Sequence, residues 1–158
     1  TKIKVKLNMT KLKVGDKAPN FSANDEQGNT VSLSDYKGKK LVVFFYPKAN
    51  TPTCTVEACN LRDNYKDLSD KGYEIIGVSA DSQKKQSNFK KKYSFPYPLL
   101  ADEDKAVIKA FDVWGEKKFM GRTFDGIHRL TFVIDENGVI EKIIDDVKAK
   151  IHAEQILS

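Results

Sequence analysis

The stretch Leu41-Val-Val-Phe-Phe-Tyr46, followed by Pro47-Lys-Ala-Asn-Thr-Pro-Thr-Cys54, decides the predicted fold. Its first six residues form a continuous apolar run of β-formers, which is typical of a strand buried on both faces in a parallel sheet. The segment Tyr73–Ser79 has the same character. Because open α/β sheets bind ligands beyond the carboxyl ends of their strands, we expect a functional site within residues 46–54.

An amphipathic helix is predicted between these two strands, over residues 52–70. Its apolar residues recur every three or four positions and share one stripe: Cys54, Ala58, Leu61, Tyr65 and Leu68. Strand, helix and strand over this length form a βαβ unit, which we expect to be right-handed.

The remaining pattern predicts a three-layer α/β sandwich with a central mixed β-sheet flanked by helices, parallel in the middle and antiparallel at one end. Short strands flank the Gly28-Asn29 turn, and residues 34–37 resemble one helical turn. Helices are predicted over residues 82–93 and 104–111, with a last one beginning near Ala149. Residues 114–128 are predicted to be a loop. Strands over 130–135 and 139–144 are joined by Asn137-Gly138, a strong hairpin signal.

Length and composition limit the possible classes of protein. The 158 residues fit one domain, which we place at residues 9–158, and 40% hydrophobic with 31% charged residues is a globular balance. No apolar run approaches the roughly 18 residues of a membrane span, and no signal-peptide core is present, so a cytoplasmic location is expected. Residues 1–8 carry three lysines and resemble a leader or N-terminal extension; without them the formal charge falls from +5 to +2.

The positive net charge of the chain does not by itself indicate a nucleic-acid partner. The lysines within residues 84–92 have no interleaved aromatic platform and no glycine-rich loop beside them. A solvated helix face explains them more simply.

The start of the first long helix places a cysteine where its thiolate is favoured. Thr51 suits the N-cap and Pro52 the first helical position, so Cys54 falls in the first turn. Unpaired backbone N–H groups and the positive end of the helix dipole favour thiolate over thiol there. Such a thiolate is a nucleophile at neutral pH.

The second cysteine, Cys59, lies five residues further along the same helix. Five helical residues separate the two Cα atoms by roughly 8.6 Å, whereas a disulfide requires less than about 7 Å. The two thiols therefore cannot bridge while the helix is intact. This spacing suits chemistry in separate steps, in which local unwinding follows a first reaction at Cys54.

Other interpretations of the cysteine pair stay open at this point. Buried packing is one, because free cysteine is among the most buried residue types. A metal site is disfavoured, since His128 and His152 lie 24 residues apart and far from the cysteines in sequence. A Cys-x-x-Cys reductase motif and a hydrolase nucleophile elbow are absent.

A thiolate that attacks a peroxide needs a cation beside it. Arg129, at the start of the strand over 130–135, is the preferred candidate. Arg62, one turn beyond Ala58, is the local rival, and a surface ion pair is the alternative role for Arg129. His128 is interpreted as a loop residue rather than a base.

Taken together, these motifs resemble those of the peroxiredoxins, and within them the bacterioferritin comigratory protein or Q-type subfamily. Pro47-x-x-x-Thr51-x-x-Cys54 matches the specific active-site motif, and Cys54-Thr-Val-Glu-Ala-Cys59 resembles the helix of the subfamily. Val14-Gly-Asp-Lys-Ala-Pro-Asn-Phe21 is similar to the family's opening. Gly126-Ile-His-Arg129 is similar to a later segment.

The resemblance implies a thioredoxin-like fold and a thiol-dependent peroxidase that needs no metal, haem or flavin. Cys54 would be the peroxidatic and Cys59 the resolving cysteine, joined during the cycle by an intramolecular disulfide. Pro47 would shield the thiolate, Thr51 would orient the peroxide, and Arg129 would stabilise the thiolate and polarise the O–O bond.

Hydrogen peroxide and alkyl hydroperoxides are the substrates that this resemblance implies, with thioredoxin or a similar dithiol as reductant and a monomer as the active form. Thr53 departs from the family, in which many members have glycine before the peroxidatic cysteine. The alternative function is a non-catalytic redox sensor or a chaperone-like binding protein that uses the same thiols.

Overall fold

A computed structural model describes residues 10–158, so the prediction for residues 1–8 lies outside the described residues. Within this range the strands are β1 (Ser22–Asn24), β2 (Thr30–Ser32), β3 (Lys40–Phe45), β4 (Tyr73–Ser79), β5 (Leu99–Ala101), β6 (Trp114–Phe119), β7 (Arg122–Ile127), β8 (Thr131–Ile134) and β9 (Ile140–Ile144). The helices are α1 (Pro52–Asp63), α2 (Tyr65–Asp70), α3 (Gln83–Tyr93), α4 (Ala106–Ala110) and α5 (His152–Leu157), with 3₁₀ turns at Leu33–Tyr36 and Ala149–Ile151.

The central sheet has five strands in the order β5-β4-β3-β8-β9. Strands β3, β4 and β5 are parallel, whereas β8 runs antiparallel to both β3 and β9. The predicted mixed sheet is therefore confirmed, including the hairpin at Asn137-Gly138. The short edge strand β5 was not predicted.

Alternating side chains of β3 enter two separate cores, one on each face of the sheet. Val42 and Phe44 pack with the apolar faces of α1, α3 and α5. Leu41, Val43 and Phe45 pack with α4 and with the first two strands. Layers on both faces of a buried sheet confirm the sandwich and explain why the β3 sequence is apolar at every position.

Two of the predicted elements were wrong. The helix over residues 52–70 breaks at Asn64, where the side-chain amide donates to the carbonyl oxygen of Asn60 (2.9 Å) and competes with the backbone. Residues 114–127 of the predicted 114–128 loop form the antiparallel hairpin β6–β7 instead. Its turn residues Met120 and Gly121 both have positive φ, the geometry that tight hairpins prefer.

Three helix predictions need only small changes. Helix α3 begins after Ser82, whose hydroxyl accepts from the Lys85 N–H (3.2 Å). Helix α4 is shorter than predicted, and the last helix begins with a 3₁₀ turn at Ala149–Ile151 before α5. Among the helices of residues 10–158, none is both long and apolar enough to cross a membrane.

Candidate active site

Helix α1 begins directly beyond the carboxyl end of the central strand β3. Thr51 occupies the N-cap position and Pro52 the first turn, as predicted, and Cys54 follows in that turn with only 1% of its surface exposed. The Thr51 hydroxyl does not cap the helix, however; it donates to the carbonyl oxygen of Lys48 (2.8 Å). Cys54 and Cys59 are both free thiols.

The loop between β3 and α1 is fixed against the end of β4. Asp81 accepts two hydrogen bonds at Oδ2, from the Ala49 N–H and from the Ser79 hydroxyl (both 2.7 Å). Asn50 adopts the left-handed conformation (φ 64°), which asparagine tolerates better than most residues. Pro47 is half-buried in the same loop. The approach to Cys54 is therefore held in place before a substrate arrives.

Sheet register brings Arg129 to the cysteine although 75 residues separate them. Since β8 runs antiparallel to β3, with Thr131 opposite Phe44, the start of β8 meets the end of β3. Arg129 Nη2 lies 3.2 Å from Cys54 Sγ and donates to it. Arg62 instead donates to Asp63 and to the Tyr93 carbonyl oxygen, so the structure favours Arg129 as the cation beside the sulfur.

Glu57 is a site residue that sequence reasoning missed. Its fully buried carboxylate accepts from Arg129 Nη1 at 2.7 Å, so one guanidinium joins Glu57 to Cys54. Burial raises the pKa of Glu57 to about 7, although Arg129 opposes this shift. The available signal was a glutamate three residues after Cys54, one helical turn further along the same face.

A second cation, Lys117 of β6, also lies near the site. Its ammonium donates to the carbonyl oxygen of Ile127 (2.9 Å), and burial, together with the charge of Arg129, lowers its pKa. Cys54 opposes that shift, which places the lysine within electrostatic range of the sulfur. His128 lies in the loop between β7 and β8, as predicted, and its Nε2 is 3.0 Å from the Glu116 carbonyl oxygen.

Cys59 occupies a different environment on the same helix. It is partly exposed, and burial raises the pKa of its thiol above the usual value, so the thiol is its resting form at neutral pH. Both cysteines lie within the uninterrupted helix α1. Helix α1 therefore holds Cys54 against the Arg129 guanidinium, whereas Cys59 has no such contact with Arg129 among the described residues.

Three further contacts stabilise α1 beyond Cys54. The Tyr97 hydroxyl donates to the carbonyl oxygen of Ala58 (2.6 Å). The Asn60 side chain donates to the Lys150 carbonyl oxygen and accepts from the Ala153 N–H (both 2.8 Å). The Asn60 contacts connect α1 to the 3₁₀ turn at Ala149–Ile151 and to the first turn of α5.

Comparisons with known proteins show which family this chain resembles. The chain matches the AhpC/TSA family over residues 14–143. Peroxiredoxin Bcp of Escherichia coli strain K12 is 49% identical over 150 residues, which cover 95% of this chain and 96% of that protein. Peroxiredoxin Q of Xanthomonas campestris is 33% identical and superposes with a TM-score of 0.83 over 95% of each chain. A structure of the X. campestris bacterioferritin comigratory protein, concerned with alkyl peroxide reduction, also has a TM-score of 0.83, at 33% identity over 94% of each chain.

Proposed function

Since the chain belongs to the AhpC/TSA family of peroxiredoxins, we propose that Cys54 is the residue through which it reduces peroxides. The protein is a thiol-dependent peroxidase with a thioredoxin-like fold, so its substrates are peroxides and its reductant is a thiol. The observation that carries the assignment to Cys54 is the 3.2 Å contact between Arg129 Nη2 and Cys54 Sγ. A cation at this distance stabilises both the thiolate and the oxygen anion that develops as it reacts.

The first step oxidises Cys54 and reduces the peroxide. The thiolate sulfur attacks the terminal peroxide oxygen, so an S–O bond forms as the O–O bond breaks. The leaving oxygen takes up a proton and departs as water or an alcohol, and Cys54 becomes a sulfenic acid. Hydrogen peroxide and alkyl hydroperoxides both fit this step, because the attacked oxygen is the terminal one in either molecule.

Thr51 and Pro47 are proposed to position and protect the reacting atoms. Because the Thr51 hydroxyl donates its hydrogen to the Lys48 carbonyl oxygen, its oxygen lone pairs remain available to accept from the peroxide O–H group. Pro47 has no backbone N–H and lies half-buried beside the helix start, where it limits the access of water to Cys54.

Cys59 is proposed to resolve the sulfenic acid. Its sulfur attacks the sulfenyl sulfur, an S–S bond forms, and the hydroxyl group leaves as water. Helical geometry separates the two Cα atoms by roughly 8.6 Å, so the first turns of α1 must unwind before this bond can form. Thioredoxin or a similar dithiol then reduces the disulfide by exchange, which returns both thiols and oxidises the reductant.

The setting of the reaction follows from this cycle. A reducing compartment such as the cytoplasm suits it, because dithiol reductants are maintained there. We propose a monomer of one domain, residues 9–158, because Arg129, which contacts both Cys54 and Glu57, comes from the same chain as they do. Gel filtration of the reduced protein tests this: a dimer with altered activity on dilution would contradict it.

The decisive experiment follows hydrogen peroxide consumption with thioredoxin, thioredoxin reductase and NADPH. Cys54→Ser should abolish turnover, and activity that survives this change would reject the proposal. Cys59→Ser should still consume one equivalent of peroxide per chain but turn over poorly; full turnover would remove Cys59 from the cycle. Oxidation of the wild-type thiols without sustained turnover would point to a redox sensor instead.

A further inference from the structure

The two carboxylate oxygens of Glu57 have different neighbours. Oε1 accepts from Arg129, whereas Oε2 has no hydrogen-bond partner among the described residues and lies 3.5 Å from Nε2 of His152. Both side chains are fully buried. An ionised carboxylate oxygen left without a donor in such a place is strongly destabilised, so a proton between Oε2 and Nε2 would satisfy the carboxylate oxygen.

The hydrogen bonds of Gln155 identify the tautomer of His152. Gln155 Oε1 accepts from the Lys148 N–H (2.9 Å), and Gln155 Nε2 donates to the Asp146 carbonyl oxygen (2.8 Å). These two bonds fix the amide so that Oε1 faces His152 Nδ1 at 2.8 Å. Because this oxygen can only accept, Nδ1 carries a hydrogen in either protonation state of the ring.

Nε2 is therefore the atom of His152 that gains or loses a proton. In the neutral ring it accepts from the Thr131 hydroxyl, which lies at 2.8 Å. Its other polar neighbour is Oε2 of Glu57. One proton bound between Nε2 and Oε2 makes the pair neutral overall, as an ion pair or as an acid beside a neutral ring, and its loss leaves a net negative charge against Arg129.

The charged and titratable groups around Glu57 and His152 belong to several different elements of the fold. Arg129 contacts Glu57 directly and also lies within electrostatic range of His152. Cys54 and Lys117 lie beyond it on the side of the active site, and the buried Tyr97 lies before β5. Glu154, on the same helix as His152, is exposed. Arg129 is the group through which a change of charge on the pair reaches the sulfur.

We propose that Glu57 and His152 share one proton near neutral pH, and that His152 is thereby a positioning residue that controls how strongly Arg129 stabilises Cys54. The proposal deepens the proposed function and rests on it. With the proton bound, Arg129 directs its positive charge toward the sulfur. Once the proton leaves, the Glu57 carboxylate neutralises more of that charge, so attack on the peroxide slows several-fold as pH rises through neutrality. The upward pKa shift of Glu57 and the downward shift of His152, both caused by burial, agree with a shared proton.

Two opposite variants fix the pair in its two states. Glu57→Gln keeps a carbonyl oxygen for Arg129 and offers an N–H to Nε2, so it mimics the protonated pair. His152→Gln offers an amide donor to Glu57 and keeps the carboxylate ionised. The test is the second-order rate constant of Cys54 oxidation from pH 6 to 8.5, determined by competition with a haem peroxidase for hydrogen peroxide.

The wild-type rate should pass through an inflection near neutral pH that both variants lose. His152→Gln should react several-fold more slowly than wild type at pH 6 and converge with it at pH 8.5. Glu154→Gln, on the same helix, is the matched control and should keep the wild-type profile. A purely structural role for His152 would lower the rate by one factor at every pH and retain the inflection, and that result would overturn the proposal.

Imidazole ¹⁵N NMR gives a readout that does not depend on peroxidase activity. The chain has two histidines, so the spectrum of His152→Gln assigns the His152 signals. We expect hydrogen on Nδ1 throughout, titration of the Nε2 signal near neutral pH in the wild type, and no titration between pH 6 and 8 in Glu57→Gln. An Nε2–H tautomer, or the same titration in both proteins, would overturn the shared proton. If Cys54 proved unreactive while the NMR result held, only the proposed function would fail.

Discussion

Replacing Glu57 by glutamine should remove a loss of fold stability that the wild type suffers as pH rises from about 4.5 to about 7. The pKa of the buried carboxyl rises from 4.5 to about 7 in the folded protein, so the folded state keeps a proton that the unfolded chain releases. A group whose pKa is raised in the folded state binds more protons there, and the free energy of unfolding therefore falls as pH rises from about 4.5 to about 7. Glutamine does not titrate and escapes this loss.

The magnitude follows from the size of the pKa difference. At about 1.4 kcal/mol per pKa unit, a rise from 4.5 to about 7 corresponds to about 3–4 kcal/mol over the full titration. Glu57→Gln loses the ion pair with Arg129, so it can be the less stable protein at pH 5. The stability difference between variant and wild type should nevertheless shift by about 2–3 kcal/mol in favour of the variant between pH 5 and pH 8, because pH 5 already lies above the unfolded pKa.

Urea unfolding of the reduced proteins, followed by circular dichroism at pH 5, 6, 7 and 8, measures this difference. His152 is present in both proteins. The folded wild type therefore binds one more proton than the folded variant at low pH, whether that proton lies on Glu57 or on His152. The exposed Glu154 provides a matched control, and Glu154→Gln should differ from wild type by a constant amount. Parallel stability curves for Glu57→Gln and wild type would refute the reasoning, because they would mean that the buried carboxyl is ionised in both states.

Three other substitutions test the remaining parts of the structure. Arg129→Lys should slow the oxidation of Cys54 by about 100-fold in peroxide competition, because one ammonium cannot reproduce the two directed contacts of the guanidinium; an unchanged rate would remove Arg129 from the chemistry. Asn60→Ala should lower the unfolding free energy by about 1–3 kcal/mol and speed formation of the Cys59 disulfide several-fold in quenched samples analysed by mass spectrometry, since it frees α1 from α5 and the 3₁₀ turn before it. Slower disulfide formation would show that these contacts do not resist unwinding. Gly77→Ala should destabilise the fold by about 1–3 kcal/mol in the same urea assay, because its Cβ would lie 2.9 Å from a phenylalanine ring carbon and a leucine methyl group; unchanged stability would mean that the core adapts freely.

Local patterns were sufficient to predict the centre of the fold and the first half of the site. The apolar run of β3, the proline after Thr51 and the stripe beginning at Cys54 each depend on residues close in sequence. Their physical basis is short-range: β-propensity, helix capping and the 3.6-residue period. The position of Cys54 at a helix N-terminus could therefore be worked out without knowledge of the rest of the chain.

The second half of the site depends on contacts between distant parts of the chain. His152 lies 95 positions after Glu57, and only the packing of α5 against α1 brings them within 3.5 Å. The β6–β7 hairpin was missed for a different reason: its faces are largely exposed and do not alternate clearly between apolar and polar residues. Its turn, Met120-Gly121, also lacks the asparagine or aspartate that usually reveals such a turn.

Helix α1 faces opposite requirements in the two halves of the proposed cycle. As an intact helix it places Cys54 and Glu57 one turn apart, so that Arg129 contacts both. The same geometry turns Cys59 about 140° away from Cys54, so the disulfide requires the helix to unwind. The contacts that position the thiolate for peroxide therefore oppose formation of the disulfide. A change in α1 that speeds either the oxidation of Cys54 or the formation of the disulfide should slow the other step. Asn60 touches neither sulfur but restrains the helix beside Cys59, so it is the residue at which this balance can be shifted without altering the chemistry at Cys54.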